Sequence, residues 1–422
     1  MQDRNWIHEA ENLDRTDPLR WLPDEYFHPP GVWYFDGNSL GLESRHARRR
    51  VEEALDQWAQ LGVLGWNETS PPWFTWVENI ADTLSPLLGV QSGEVTLGAS
   101  TTVMLHQMLA TFWPSHERPK ILIDGLAFPT DRYAVASFLQ SHGHHPDTDM
   151  VVVPPRPGTR LLAMDDLMAA ADDQVGLAVL PSVVFTTGQM LPMAEITAVF
   201  RARGIRVVWD LCHSAGLIPH RLHDDIDLAV FCTYKYLNGG PGSPAGAFVH
   251  ERLWPVSPGL AGWWGSANQR QFHMPFGFEG AADAHALQMG TPSILSLAAL
   301  AGSVELLAKA GIDALWSRSQ SLTAFLDTLV RERLIRYGVT VVTPPQHRGG
   351  HIALSHPEGR ALSLALRAAG VVPDFRFPDT IRLAPAPSTS RFSDCLAIVD
   401  ILENILRDEG WRAFQDVQQA VL

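Results

Sequence analysis

The sequence predicts an α/β fold: a large domain built on a mostly parallel sheet covered by helices, followed by a smaller α+β C-terminal domain. Three observations predict it. Five short runs between about residues 90 and 250, PKILIDG, DMVVVPP, VGLAVLPSVV, IRVVWDL and IDLAVFCTY, are continuously apolar and bounded by Gly, Pro or Asp. Unbroken hydrophobicity suits strands buried on both faces, as in a parallel or mixed sheet. Helix candidates lie between these runs, among them MAEITAVFRARG, which closes on a glycine C-cap. Beyond about residue 290 the pattern changes to long amphipathic helices and short alternating strands.

Taken in order, residues 1–60 read as an arm. It has a helix-like start, a Pro-rich stretch through Pro29-Pro30, and the turn YFDGNSLGL (Tyr34–Leu42). Residues 61–300 form the expected large domain. Residues 301–422 form the smaller one, which the arm is expected to join. From about residue 290, SILSLAALAGSVELLAKAG and ALWSRSQSLTAFLDTLVRERL predict helices, GVTVVTPP, GGHIALSH and DTIRLAP predict strands, and FSDCLAIVDILENILRDEG predicts a closing helix.

Length and composition agree with this division. At 422 residues the chain exceeds one simple core, and 46% hydrophobic with 18% charged residues describes an ordinary globular protein. A net charge of −14 argues against nucleic acid or an anionic membrane as partner. Cys212, Cys232 and Cys395 are widely spaced with no CxxC pair, so neither a disulfide framework nor a zinc site is suggested. A polar, acidic start and the lack of an apolar run of about 18 residues make the cytoplasm the expected location.

The chemistry concentrates in VVWDLCHSAG and the CTYKY that follows. Asp210 ends one apolar strand, His213 comes three residues later, and Lys235 ends the next strand. Ligands of open α/β sheets bind outside the carboxyl ends of strands, so these three side chains should converge. A carboxylate for a pyridine nitrogen and a lysine for an aldehyde are what pyridoxal phosphate requires. Taken singly, Asp210 also reads as a helix cap, His213 as a structural histidine and Lys235 as a surface lysine. GASTTVMLHQMLATF places Thr101 and Thr102 before a helical run, as phosphate donors or as plain caps. Phe128 and Asp131 in AFPTD either flank a ring or only make a turn. Ser182 lies at another strand end, and Trp263-Trp264 in AGWWGS reads as a binding surface or as interface packing.

Over nearly its whole length the sequence resembles the kynureninase family, pyridoxal-phosphate enzymes of the aspartate-aminotransferase fold (fold type I, with a seven-stranded sheet). The matching segments are YFDGNSLGL, PPWF, VVWDLCHSAG, CTYKYLNGGPGSPAGAFVHE, GWWG, MGTPSILSL and IRLAPAP. The resemblance implies that Lys235 is the Schiff-base lysine, Asp210 the partner of the pyridine nitrogen, and His213 and Tyr234 further cofactor contacts. Tyr234 is also expected to assist proton transfer. The same resemblance assigns Thr101, Thr102, Phe128, Pro129, Thr130, Asp131 and Ser182 to the cofactor. Trp263 and Thr291 are implied to reach it from the partner subunit of a homodimer with shared active sites. Arg382 is implied to grip the substrate's α-carboxylate, with Asn38 and Trp66 also at the substrate. The implied reaction is hydrolytic Cβ–Cγ cleavage of L-kynurenine to anthranilate and L-alanine. A desulfurase or aminotransferase of the same fold, or a catalytically silent cofactor-binding protein, are the alternatives. Met104, Ser266, Ser388 and Thr389 depart from the family pattern and are expected near the substrate's aromatic ring, leaving its substitution open; Trp66 and Gly290-Thr291 favour kynurenine over its 3-hydroxy form.

Overall fold

The five apolar runs become five adjacent strands of a seven-stranded sheet, one of them at its edge, in the computed structural model, which describes residues 5–114, 118–415 and 417. After a short strand β1 (Trp33–Tyr34), the sheet is built from β2 (Val95–Gly98), β3 (Lys120–Asp124), β4 (Met150–Val153), β5 (Val175–Pro181), β6 (Arg206–Asp210), β7 (Leu228–Phe231) and β8 (Ala245–Val249). Their spatial order is β2-β8-β7-β6-β5-β3-β4. Strands β3 to β7 pair in parallel, whereas β8 runs antiparallel to both β7 and β2.

The continuous hydrophobicity has a direct cause. Side chains alternate across the sheet, and each face carries its own apolar core. Ile121, Ile123, Leu177, Val179, Val208 and Val230 enter one cluster. Their neighbours Leu122, Ala178, Leu180, Val207, Trp209 and Ala229 enter the other. β2 and β8 were not anticipated, because β2 has four residues and β8 is rich in small ones. The small residues of β8 answer to packing: a Cβ on Gly246 would lie 2.0 Å from the Phe231 ring.

The later residues form a four-stranded antiparallel sheet in the order β12-β13-β10-β9. Its strands are β9 (Thr340–Val341), β10 (Ile352–Ser355), β12 (Asp374–Arg376) and β13 (Thr380–Leu383). Between β10 and β12, β11 (Val371–Val372) pairs in parallel with β1 of the arm. Ala10 and Phe35 of the arm share a core with Leu326, Ile352, Leu383 and Val399. Helix Trp6–Thr16 packs on the closing helix Phe392–Arg407, while helix Arg45–Leu61 packs on Ile294–Ala310 of the large unit. That second contact is close, since a Cβ on Gly302 would meet the His46 carbonyl at 2.4 Å. The arm therefore ties the two units together.

Candidate active site

Loops leaving the carboxyl ends of the parallel strands line one cleft. Leu126, Phe128, Thr130 and Asp131 follow β3; Val183 and Phe185 follow β5; Cys212 and His213 follow β6; Tyr234 and Lys235 follow β7. β2 and β7 are both antiparallel to β8, so β2 delivers Ala99, Ser100, Thr101 and Thr102 to the same end. Parallel connectivity thus gathers residues more than a hundred positions apart.

At the centre, Lys235 Nζ lies 3.1 Å from His213 Nε2. It is also 5.8 Å from the Phe128 ring centroid and 6.0 Å from that of Tyr234. Burial, followed by the Lys235 charge, holds His213 well below the usual histidine range, so its ring is neutral. Its Nδ1 is buried with no hydrogen-bond partner among the described residues. Asp210 Oδ1 accepts the Cys212 N–H at 2.7 Å. Beside it Asp131 is pushed well above the ordinary carboxylate value by burial, with Asp210 and Asp124 adding their charges. Asp124, at the end of β3, is raised to about 7, chiefly by burial. Asp131 and Asp210 line the cleft and Asp124 is buried close by, so negative charge gathers at this wall, with Lys235 the nearby cation.

The opposite end of the cleft is suited to an anion. Ser100 caps helix Thr101–Phe112, its Oγ accepting from Val103 N at 3.4 Å. Thr101 and Thr102 are therefore the first two helical residues, whose N–H groups have no intrahelical acceptor. Thr101 Oγ1 is buried without a partner among the described residues. Pyridoxal phosphate matches this donor set: an anion for the helix terminus and Thr101, a cationic ring nitrogen for the crowded acids, and an aldehyde for Lys235.

Beyond Phe185 lies a second polar cluster. Arg382, 1% exposed, donates to the Phe185 carbonyl at 2.7 Å and to Ser39 Oγ at 3.4 Å. With the Asn38 amide oriented to satisfy its neighbours, its nitrogen donates to Asp36 and its oxygen accepts from Arg382 at 3.3 Å. The alternation of β13 left solvent or an anion as the destination of this guanidinium. It is buried, and Asp374, directly opposite on β12, is its ion-pair partner. Burial lowers its pKa to about 10. Its Nε still has no partner among the described residues.

Chains similar to this one bear on what the cleft is for. A family model described as the kynureninase C-terminal domain matches residues 315–402. The kynureninase of Geobacillus thermodenitrificans is 41% identical over 416 residues, covering 98% of this chain and 97% of its own. The kynureninases of Bacillus anthracis and Shouchella clausii are 40% and 39% identical, each over 98% of this chain and 97% of its own. The chain belongs to the kynureninase family. Among solved structures, a C-DES variant with glycine covalently linked to its PLP cofactor superposes with a TM-score of 0.79 at 18% identity, covering 92% of this chain and all of its own. The cysteine desulfurase CsdA from Escherichia coli follows at 0.76 and 18%, covering 92% and 98%. These two share the fold, the type I α/β architecture expected from the sequence.

Of the residues that the kynureninase resemblance pointed to, Thr101, Thr102, Phe128, Thr130, Asp131, Asp210, His213, Tyr234 and Lys235 line the Lys235 cleft. Pro129 opens the helix that carries Asp131 without lining the cleft itself. Ser182 is turned away: its hydroxyl bonds the Asp210 carbonyl at 3.1 Å and Ser214 Oγ at 2.7 Å, so it bears on Asp210 through the backbone. Thr291 lines a neighbouring hollow with Gln288 and Gly290, which meets the Lys235 cleft at Ala99, Ser100 and Gly242. Trp66 packs on Trp264, their rings tilted with centroids 5.2 Å apart, and Trp263 adjoins Trp264; none of them lines the cleft. None of the family departures Met104, Ser266, Ser388 and Thr389 lines it either. All four are buried, and Met104 lies in the core with its sulfur against Gly98. Sequence reasoning passed over Phe185, Cys212, Ser243 and His351. The ring of His351 is buried 5.9 Å from that of His213, and both its nitrogens lack partners among the described residues. A lone histidine before a strand carries no local signal of that placement.

Proposed function

We propose that this chain hydrolyses the Cβ–Cγ bond of L-kynurenine, releasing anthranilate and L-alanine, with pyridoxal phosphate held at Lys235. The observation that carries the reading is the convergence of Lys235, His213, Asp210 and a helix N-terminus in one cleft, in a chain that belongs to the kynureninase family. When bound, the cofactor supplies an electrophilic carbon for the substrate amine and a ring that withdraws electrons from Cα. Asp210 and Asp131 hold a proton at the ring nitrogen. Neutral His213 keeps a lone pair or N–H toward Lys235, whose Nζ moves the Cα proton. Tyr234 stays a phenol because burial raises its pKa, and so can deliver a proton to a developing negative charge. Arg382 offers its open Nε edge to the α-carboxylate and orients the substrate.

The active unit is a homodimer in this reading. Trp58, Val63, Leu64, Phe272, Met274 and Phe276 leave a broad apolar surface exposed on one chain, with Trp263 within reach of it. Trp263 and Thr291 lie outside the Lys235 cleft of their own chain, as residues supplied to a partner's site would. Trp66 with Gly290-Thr291 favours kynurenine over 3-hydroxykynurenine. A desulfurase reading lacks its mobile nucleophile: Cys395 is buried in a core helix, and Cys212 and Cys232 are buried against each other. Purified protein offered kynurenine and 3-hydroxykynurenine side by side should release anthranilate faster than its hydroxylated counterpart. No aromatic acid from either would overturn the assignment.

A further inference from the structure

Cys212 and Cys232 lie just past the ends of β6 and β7, beside the residues that carry the cleft's chemistry. Asp210 pairs with Val230 in the parallel register of β6 and β7, so the two cysteines stand opposite each other just past the strand ends. There the ladder is broken. Cys232 N–H points to Cys212 Sγ at 3.2 Å instead of to a carbonyl, and Cys232 Sγ lies 3.9 Å from the Cys212 carbonyl. Neighbouring strands lie about 4.8 Å apart, inside the Cα separation that a disulfide spans. Cys212 lines the cleft and Cys232 does not, so a small solute entering it meets the Cys212 residue first.

We propose that Cys212 and Cys232 are a redox-active dithiol that closes to a disulfide under hydrogen peroxide and disables the site. Two S–H bonds and the peroxide O–O bond break, one S–S bond forms, and two waters leave; the sulfurs lose two electrons and the peroxide gains them. The two thiols differ in acidity. A hydrogen bond with Cys232, then burial, raises the Cys212 pKa well above normal. Burial pushes Cys232 upward too, but the Cys212 bond and the Lys235 charge outweigh it and leave its thiol lowered. Closure links the loop bearing Asp210 and His213 to the loop bearing Tyr234 and Lys235, and so disturbs the 3.1 Å spacing of His213 and Lys235.

The test treats the purified protein with hydrogen peroxide, both cofactor-loaded and cofactor-stripped, then unfolds it and counts thiols with iodoacetamide. Untreated chains should label at all three cysteines and oxidised chains at Cys395 alone, with a linked Cys212–Cys232 peptide and two hydrogens lost from the intact mass. Turnover should fall by about tenfold or more, as ångström-scale displacement of a reacting group predicts, and return with dithiothreitol. The Cys232→Ala variant should keep its turnover under the same dose. Three free thiols in both preparations, oxygenated sulfurs without a link, or a linked protein with full turnover would each overturn the proposal. The thiol count does not depend on the substrate, so it separates this claim from the kynurenine assignment.

Discussion

Replacing Arg382 by lysine separates carboxylate recognition from folding. Alanine at this position would remove the donors to Phe185, Ser39 and Asn38 and leave buried Asp374 paired with Arg376 alone among the described residues. Losing one of its two cations in a buried site, with the Phe185 carbonyl unpaired as well, is destabilising enough to obscure a binding effect. Lysine keeps a cation beside Asp374 but loses the planar fork and with it the open Nε edge. If that edge holds the α-carboxylate, kcat/KM for kynurenine should fall by about 2–4 kcal/mol, or roughly 30- to 900-fold. Anthranilate fluorescence at low substrate reads the loss. The visible absorbance of the Lys235-bound cofactor should be unchanged, because Arg382 does not line that cleft. The decarboxylated analogue of kynurenine should react equally slowly with both proteins. A folded Arg382→Lys variant with kcat/KM within about threefold of the parent would place the carboxylate elsewhere and refute the argument.

Lys235→Ala should abolish both turnover and the cofactor's visible absorbance, and borohydride should attach the cofactor to Lys235 in the parent; labelling of another lysine would withdraw the assignment. Asp124 gives a pH test in the cofactor-free protein. Its pKa is raised in the folded state from the ordinary 3.8 to about 7, so its contribution is fully present below the unfolded value and is lost as pH rises through the folded one. Asp124→Asn should therefore gain stability over the parent across that window, by up to about 4 kcal/mol, read as a growing difference in Tm; a difference independent of pH would disprove it. Sedimentation should find a dimer, and Val63→Asp, placed on the exposed apolar surface, should yield a poorly active monomer. A parent monomer that is fully active at high dilution would remove the shared-site reading.

What the sequence by itself determined about this protein is the α/β class, the five parallel strands, and the cofactor end of the cleft. Strands buried on both faces must be continuously apolar, and β5 to β7 with their trailing Asp210, His213 and Lys235 are contiguous enough to read along the chain. The helix start at Thr101 was legible for the same local reason, although only the structure shows that Ser100 is the cap and that Thr101 is left free. The tertiary structure decided whatever depends on pairing between distant segments. β2 and β8 are too short, and β8 too rich in small residues, to announce themselves, since their stability comes from the neighbours they pair with. From its strand alone Arg382 read as solvated, and only the family resemblance pointed to an anion, because its partner Asp374 is fixed by antiparallel register rather than by spacing. Ser182 and Met104 face away from the cleft, and Cys212 faces Cys232, because strand order and the close packing of two cores choose which side of each strand end meets the ligand. Those choices are made by the sheet as a whole, and no single segment carries them.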